Sequence, residues 1–209
     1  MPDSNTPEEV HAATLSVLAF HALSTFELTS TDSQHAPSIR ESIGLARLAG
    51  HSLEHFERLA SRVADLGGDL TSLMESQAGS FRAFRERTRP KDWYESVMKV
   101  YVYDGIMTEY CRSALTALDP KSREVVDSVF DDTRSADYLR ECLHSVVAGD
   151  EVIGSRLALW GRKLVAESLT RIREFAAIPD TVFKKPDEPL LQRLLAGHSK
   201  RMSDLGLTA

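Results

Sequence analysis

Cysteine is scarce in this chain, with Cys111 and Cys142 the 2 cysteines among 209 residues. That number builds neither a disulfide framework nor a cysteine-ligated metal cluster. Apolar neighbours at helical spacing predict that both are reduced core thiols of a cytoplasmic protein. Long hydrophobic runs are lacking, and none approaches the ~20 residues a membrane span needs. Met1-Pro2-Asp3-Ser4-Asn5 has no basic stretch leading into an apolar one, so no secretory signal is visible and no membrane partner is expected. Positive charge is not in excess: the formal net charge of −6 gives no overall electrostatic pull toward nucleic acid. Strand signals are nearly absent. Lys99-Val100-Tyr101-Val102-Tyr103 is the longest, and helical spacing on both sides absorbs it.

What is present is apolar periodicity. Apolar residues make up 42% and charged residues 27%, enough for a core in one large domain or two small ones. A first helix opens at Thr6-Pro7-Glu8-Glu9, where Thr6 and Glu9 have capping-box spacing and Pro7 suits the first turn. It carries two apolar rows, through Val17 and through Leu18, and fades over Ser30–Ser33. A second helix from Ser38 has the inner row Leu45, Leu48, Ser52, His55, Leu59, Leu66 and stops at Gly67-Gly68. Residues 69–91 break the pattern, with a short helical turn near Leu70 and a basic, aromatic stretch from Phe81 to Pro90. A connection this long predicts a crossover running the length of a bundle.

The third helix, from Asp92, has the row Val97, Val100, Asp104, Met107, Cys111, with Glu109 roughly opposite and therefore exposed. The fourth begins at Asp119-Pro120 and runs through Val125, Val129, Asp132, Ser135, Leu139 and Leu143. A fifth carries Leu157, Trp160, Leu164, Ser168, Ile172 and Phe175, and a short C-terminal helix carries Leu190, Leu194, His198 and Met202. These elements predict an all-α fold: a four-helix bundle over residues 6–178, with residues 179–209 a linker and short helix.

Two carboxylates interrupt these inner rows. Asp104 lies 15 residues before the turn near residue 119 and Asp132 lies 13 after it. At ~1.5 Å per residue they share a height in the bundle. Ser52 and His55 match that height. Glu27 misses it by roughly 10 Å, and His21 or Ala22 is the first-helix residue at the right level. Inward carboxylates need a shared proton, a partner base or a metal. His55 is then either a core histidine bonded to Asp104 or Asp132, or a metal ligand with them. Ser52 and Ser135 read as small polar filler.

The sequence resembles the ferritin-like family related to the tRNA hydroxylase that oxidises 2-methylthio-isopentenyl-adenosine, in its actinobacterial branch. The resemblance rests on Leu18-Ala19-Phe20, the His55-Phe56 helix, Pro90-Lys91-Asp92-Trp93-Tyr94-Glu95, Asp104-Gly105, Asp132-Thr133 and Arg156-Leu157-Ala158-Leu159-Trp160-Gly161-Arg162-Lys163. It implies a ferritin-like bundle with a long crossover and a di-iron site. The family pattern has a carboxylate on helix one, Glu-x-x-His on helix two, an acid on helix three and acid-x-x-His on helix four. Carried over, it puts metal ligands at His55, Asp104 and Asp132, and places Ala22, Ser52 and Ser135 where ligands are expected.

Three ligands of six suit one iron or manganese ion, or none, and fall short of two. Two readings stand: a metal-impaired, non-catalytic ferritin-like protein, or an iron-dependent hydroxylase with a reduced ligand set. A third is RNA binding, with tRNA the implied partner, through Arg82, Arg85, Arg87, Arg89 and Lys91, interleaved with Phe81 and Phe84. Trp160 and the arginines of the fifth helix suggest packing or a homodimer contact.

Overall fold

The computed structural model describes residues 6–209, and the reading of Met1–Asn5 lies outside the described residues. The described residues form helices and connecting turns, with no strand among them. The bundle is built from α1 (Pro7–Gln34), α2 (Ile39–Asp65), α5 (Trp93–Ala114) and the pair α6 (Pro120–Phe130) and α7 (Arg134–Gly149). The crossover contains α3 (Leu70–Glu75) and α4 (Ala78–Arg87), while α8 (Glu151–Phe175) and α9 (Glu188–Asp204) complete the chain.

Local chemistry sets the helix boundaries. Thr6 and Glu9 form the expected capping box, Asp92 caps α5 by accepting from the Glu95 N–H at 2.9 Å, and Asp119 caps α6 with Pro120 in the first turn. After α2, Gly67 takes the left-handed φ of 77° that glycine tolerates without strain.

Helices α1 and α2 pair along their length. α1 is apolar on both sides because Ala12 to Ala19 are all buried. By length and composition it is long enough and apolar enough to cross a membrane, although the sequence contains no unbroken run of that kind. Here α2, α3 and α5 pack against it. α5 is central, packing against α1, α7, α8 and α9. Trp160 of α8 is buried and its indole N–H donates to the Glu95 carbonyl at 2.8 Å, while Trp93 donates to the Asp32 carbonyl at 3.1 Å.

Three expectations change. α1 runs on to Gln34 rather than fading at Ser30. Its threonine and serine hydroxyls bond back to carbonyls one turn earlier, as Thr29 does to Thr25 and Thr31 to Glu27, and the helix continues. The crossover is largely helical. Phe81 and Phe84 are buried, Phe81 stacks on Phe20, and the fully buried Arg171 of α8 lies 3.9 Å from the Phe81 ring centroid. The fourth bundle helix is broken at Asp131–Thr133. Asp132 Oδ1 accepts the Arg134 N–H at 3.1 Å, where α7 begins as a new helix at the point where a continuous one was expected.

The C-terminal segment is more than an appendage. Leu190, Leu194, His198 and Met202 are buried, and α9 packs on both α5 and α8. Gly161 permits the α8–α9 approach, since a Cβ there would fall 2.8 Å from the Met202 methyl carbon. A similar close approach occurs between α2 and α7: Gly44 faces the Tyr138 ring, which a Cβ would overlap, and the Tyr138 hydroxyl donates to the Glu41 carbonyl at 3.1 Å.

Candidate ligand cavity

The inner faces of α1, α2, α5, α6 and α7 do not close completely. They leave a cavity of about 390 Å³ with apolar walls that include Leu18, Leu48, Leu59, Val100 and Val129. Arg201 of α9 also lines it. His55, Asp104 and Asp132 all line this cavity, as do Ala22, Ser52 and Ser135, so the shared bundle height inferred from chain positions holds. Glu27 is exposed and pairs with Arg85 at 3.0 Å, away from the cavity.

The polar residues form two separate pairs. His21 Nε2 lies 2.7 Å from Asp104 Oδ1. His55 Nε2 lies 3.1 Å from Asp132 Oδ2. His21 is a site residue that the periodicity did not assign. The depth calculation had already placed it at the right level, but a histidine one residue away from the buried Ala22 has no pattern of its own. Asp104 is also more open than an inner-row position suggests, with its side chain 38% exposed. Of the alternatives left open, each carboxylate has a partner base: His55 bonds Asp132, and His21 bonds Asp104.

Asp132 has a further partner. Its Oδ1 accepts from Arg134 Nε at 2.8 Å and its Oδ2 from Arg134 Nη2 at 2.6 Å, a bidentate fork. Arg134 can fold back because the helix restarts there. The guanidinium and the Arg134 backbone N–H, with His55, hold the Asp132 carboxyl well below the usual carboxylate range, against the opposing effect of partial burial. Burial pushes the His55 imidazole below its ordinary value, more than the nearby Asp132 raises it. His55 is thus neutral at pH 7 and donates its Nε2–H to the carboxylate. Ser52 is buried and donates to the Leu48 carbonyl at 3.2 Å, which makes it helix filler rather than an activated nucleophile.

A two-metal centre needs carboxylate oxygens free to bridge cations. Both Asp132 oxygens are engaged by donors, and the positive charge beside them is already Arg134. Asp104 offers one free oxygen, and Ala22 and Ser52 add no carboxylate. Among the described residues no three His, Cys, Asp or Glu side chains converge on one point. This donor arrangement does not fit a di-iron cofactor.

Three other sequence readings can be placed. Glu109 is half-buried rather than exposed, because α9 covers it and Arg201 reaches it at 3.6 Å. In the basic stretch, Arg85 pairs with Glu27, and Arg87 with Glu167 at 2.7 Å and Glu174 at 3.0 Å. Two of its five basic side chains are thus engaged within the fold. Cys111 is buried and free, and burial raises its thiol pKa, while Cys142 is free and half-buried.

In comparison with known protein families, the model of the ferritin-like domain of actinomycetes matches residues 7–182. No curated protein matches the chain.

Proposed function

We propose that this chain, which belongs to the actinomycete family of ferritin-like domains, is a metal-impaired and non-catalytic member that binds a small molecule in the bundle cavity. The observation that carries this reading is the pairing inside the cavity: each inward carboxylate has its own protein partner, His21 for Asp104 and His55 with Arg134 for Asp132. A buried carboxylate satisfied in this way does not require a cation for stability. What remains is a partly open, mainly apolar cavity with polar groups among its lining, the general form of a small-molecule site.

The second reading is a non-haem iron hydroxylase related to the tRNA hydroxylases, with a reduced ligand set at His55, Asp104 and Asp132. One observation favours it. His21 brings a second histidine to the same cavity, and two histidines with a carboxylate are the donor types of a mononuclear iron site. Such a site would require Arg134 to release Asp132.

Metal analysis of protein produced in iron-supplemented medium decides between the two. The expected outcome is less than about a tenth of an equivalent of iron or manganese per chain, because ligands tied up by protein donors must be freed before a metal binds. Close to one equivalent, lost in the Asp104→Asn variant, would overturn the non-catalytic reading. For RNA, the pairing of Arg85 and Arg87 leads to weak binding, and replacing these two should change its salt dependence little.

A further inference from the structure

Lysine is almost never buried unless it is paired. Lys91, Lys121, Lys163, Lys184, Lys185 and Lys200 are all exposed, whereas Lys99 is 5% exposed, in the stretch of α5 that is enclosed on every side. Among the described residues it makes no hydrogen bond and no ion pair. Its Nζ lies 5.4 Å from the centroid of the Phe84 ring of α4. The carboxylate that acts on it, Asp32 of α1, is beyond ion-pair distance and accepts the Ser96 hydroxyl instead. Arg85 of α4 adds a like charge.

Lys99 lines a small pocket of about 50 Å³, shared with Leu28, Phe81, Phe84, Arg85 and Val100. At ~15 Å³ for each water-sized occupant, that space takes about three or four non-hydrogen atoms. Arg85 is exposed and Leu28 half-buried, so the pocket reaches the surface. Lys99 is not among the residues that line the bundle cavity, and its chemistry does not depend on what that cavity holds.

Burial, reinforced by Arg85 and opposed by Asp32, pushes the Lys99 amine down to about 8. About one amine in ten is then unprotonated at pH 7, against fewer than about one in a thousand for an ordinary lysine. The unprotonated amine is a nucleophile, and desolvation beside a second cation is an environment that activates it.

We propose that Lys99 is a reactive amine and that its pocket takes a short-chain aldehyde as a Schiff base. The nitrogen lone pair attacks the carbonyl carbon, a C–N bond forms, and the carbonyl oxygen leaves as water with both amine protons. The imine is uncharged. It suits apolar walls better than the carbamate anion that carbon dioxide would leave on the same nitrogen.

Reductive labelling of the full chain with acetaldehyde and cyanoborohydride at pH 7, mapped by mass spectrometry, tests the assignment. Lys99 should be ethylated about tenfold or more faster than any exposed lysine. Its rate should saturate with aldehyde concentration, as binding before condensation requires. It should also level off above about pH 8, whereas the exposed lysines should go on accelerating toward about pH 10. Pivaldehyde, too bulky for the pocket, should label the exposed lysines and spare Lys99. Lys99→Met should abolish the fast labelling alone, with an unchanged circular-dichroism spectrum confirming the fold. Arg85→Gln, a change at an exposed side chain, should slow Lys99 labelling at pH 7 by about two- to fivefold, because losing the like charge favours the ammonium. Lys99 reacting no faster than the exposed lysines would overturn the proposal. A rate linear in acetaldehyde, or equal labelling by pivaldehyde, would also overturn it, since either describes an accessible amine without a pocket.

Discussion

Asp132 shows how much of one residue's role is written in the sequence. Its position on an apolar row marked it as an inward carboxylate, and its distance from the Asp119-Pro120 turn placed it level with His55; both hold. Its partner Arg134 was not recoverable, because two residues apart on one continuous helix the side chains would point away from each other. Only the helix break brings them together. Asp132 thereby has three tasks: it accepts the Arg134 backbone N–H at the start of α7, accepts from His55 and holds the Arg134 guanidinium. Asp132→Ala should lower stability by about 1–3 kcal/mol, combining the lost hydrogen bonds to Arg134 with an unpaired His55 donor. The acid limb should change as well. A carboxyl with a depressed folded pKa contributes stability above its ordinary pKa near 3.9 and loses it as the pH falls toward the folded value. Denaturant titrations between about pH 2 and 5 should therefore show a shallower acid dependence in Asp132→Ala than in the parent. A parallel dependence would remove the stabilising role assigned to the pair.

At the scale of elements, the periodic helices were legible and their interruptions were not. The row through Leu45–Leu59 predicted the buried face of α2 because a single dominant face leaves a clear 3.6-residue period, whereas the row Val97–Cys111 is one side of α5, which is buried on every side from Glu95 to Tyr103. α4 was hidden because its two buried phenylalanines are set among arginines, and their engagement by Glu27, Glu167 and Glu174 is long-range information. The close contact of α2 with α7 was hidden for a different reason. A glycine inside a helix signals only a weak point until the facing residue is known, and here it is Tyr138. Gly44→Ala should force that ring aside, lose its hydrogen bond to Glu41 and cost roughly 1–3 kcal/mol. Thermal unfolding measures the loss. Tyr138→Ala in the same background should relieve most of the strain, so the two substitutions will be less than additive.

For the whole molecule, the family match and the folded body have different extents. The match ends at residue 182, yet α9, beyond it, buries Leu190, Leu194 and Met202 against α5 and α8. Reading the last thirty or so residues as a linker and short helix captured their composition, whereas their attachment depends on Gly161 and Gly105, which let α9 side chains lie close to the bundle. A chain ending at residue 186 should lose about 1.5–3 kcal/mol for each large apolar side chain removed from the core, and should expose the α5–α8 surface. Increased binding of an apolar dye and a lower unfolding midpoint are expected. A truncated chain as stable as the full one would show that α9 is dispensable to the fold.

The placement of the two indoles has a practical consequence for spectroscopy. Trp93 is fixed to the end of α1 through Asp32, and Trp160 to the start of α5 through Glu95. Both report on the seams that hold α5 in the body, and neither lines the cavity. Intrinsic tryptophan emission is thus a monitor of whether the helices remain docked. Tyr101, on the cavity wall, is the native chromophore placed to sense its contents.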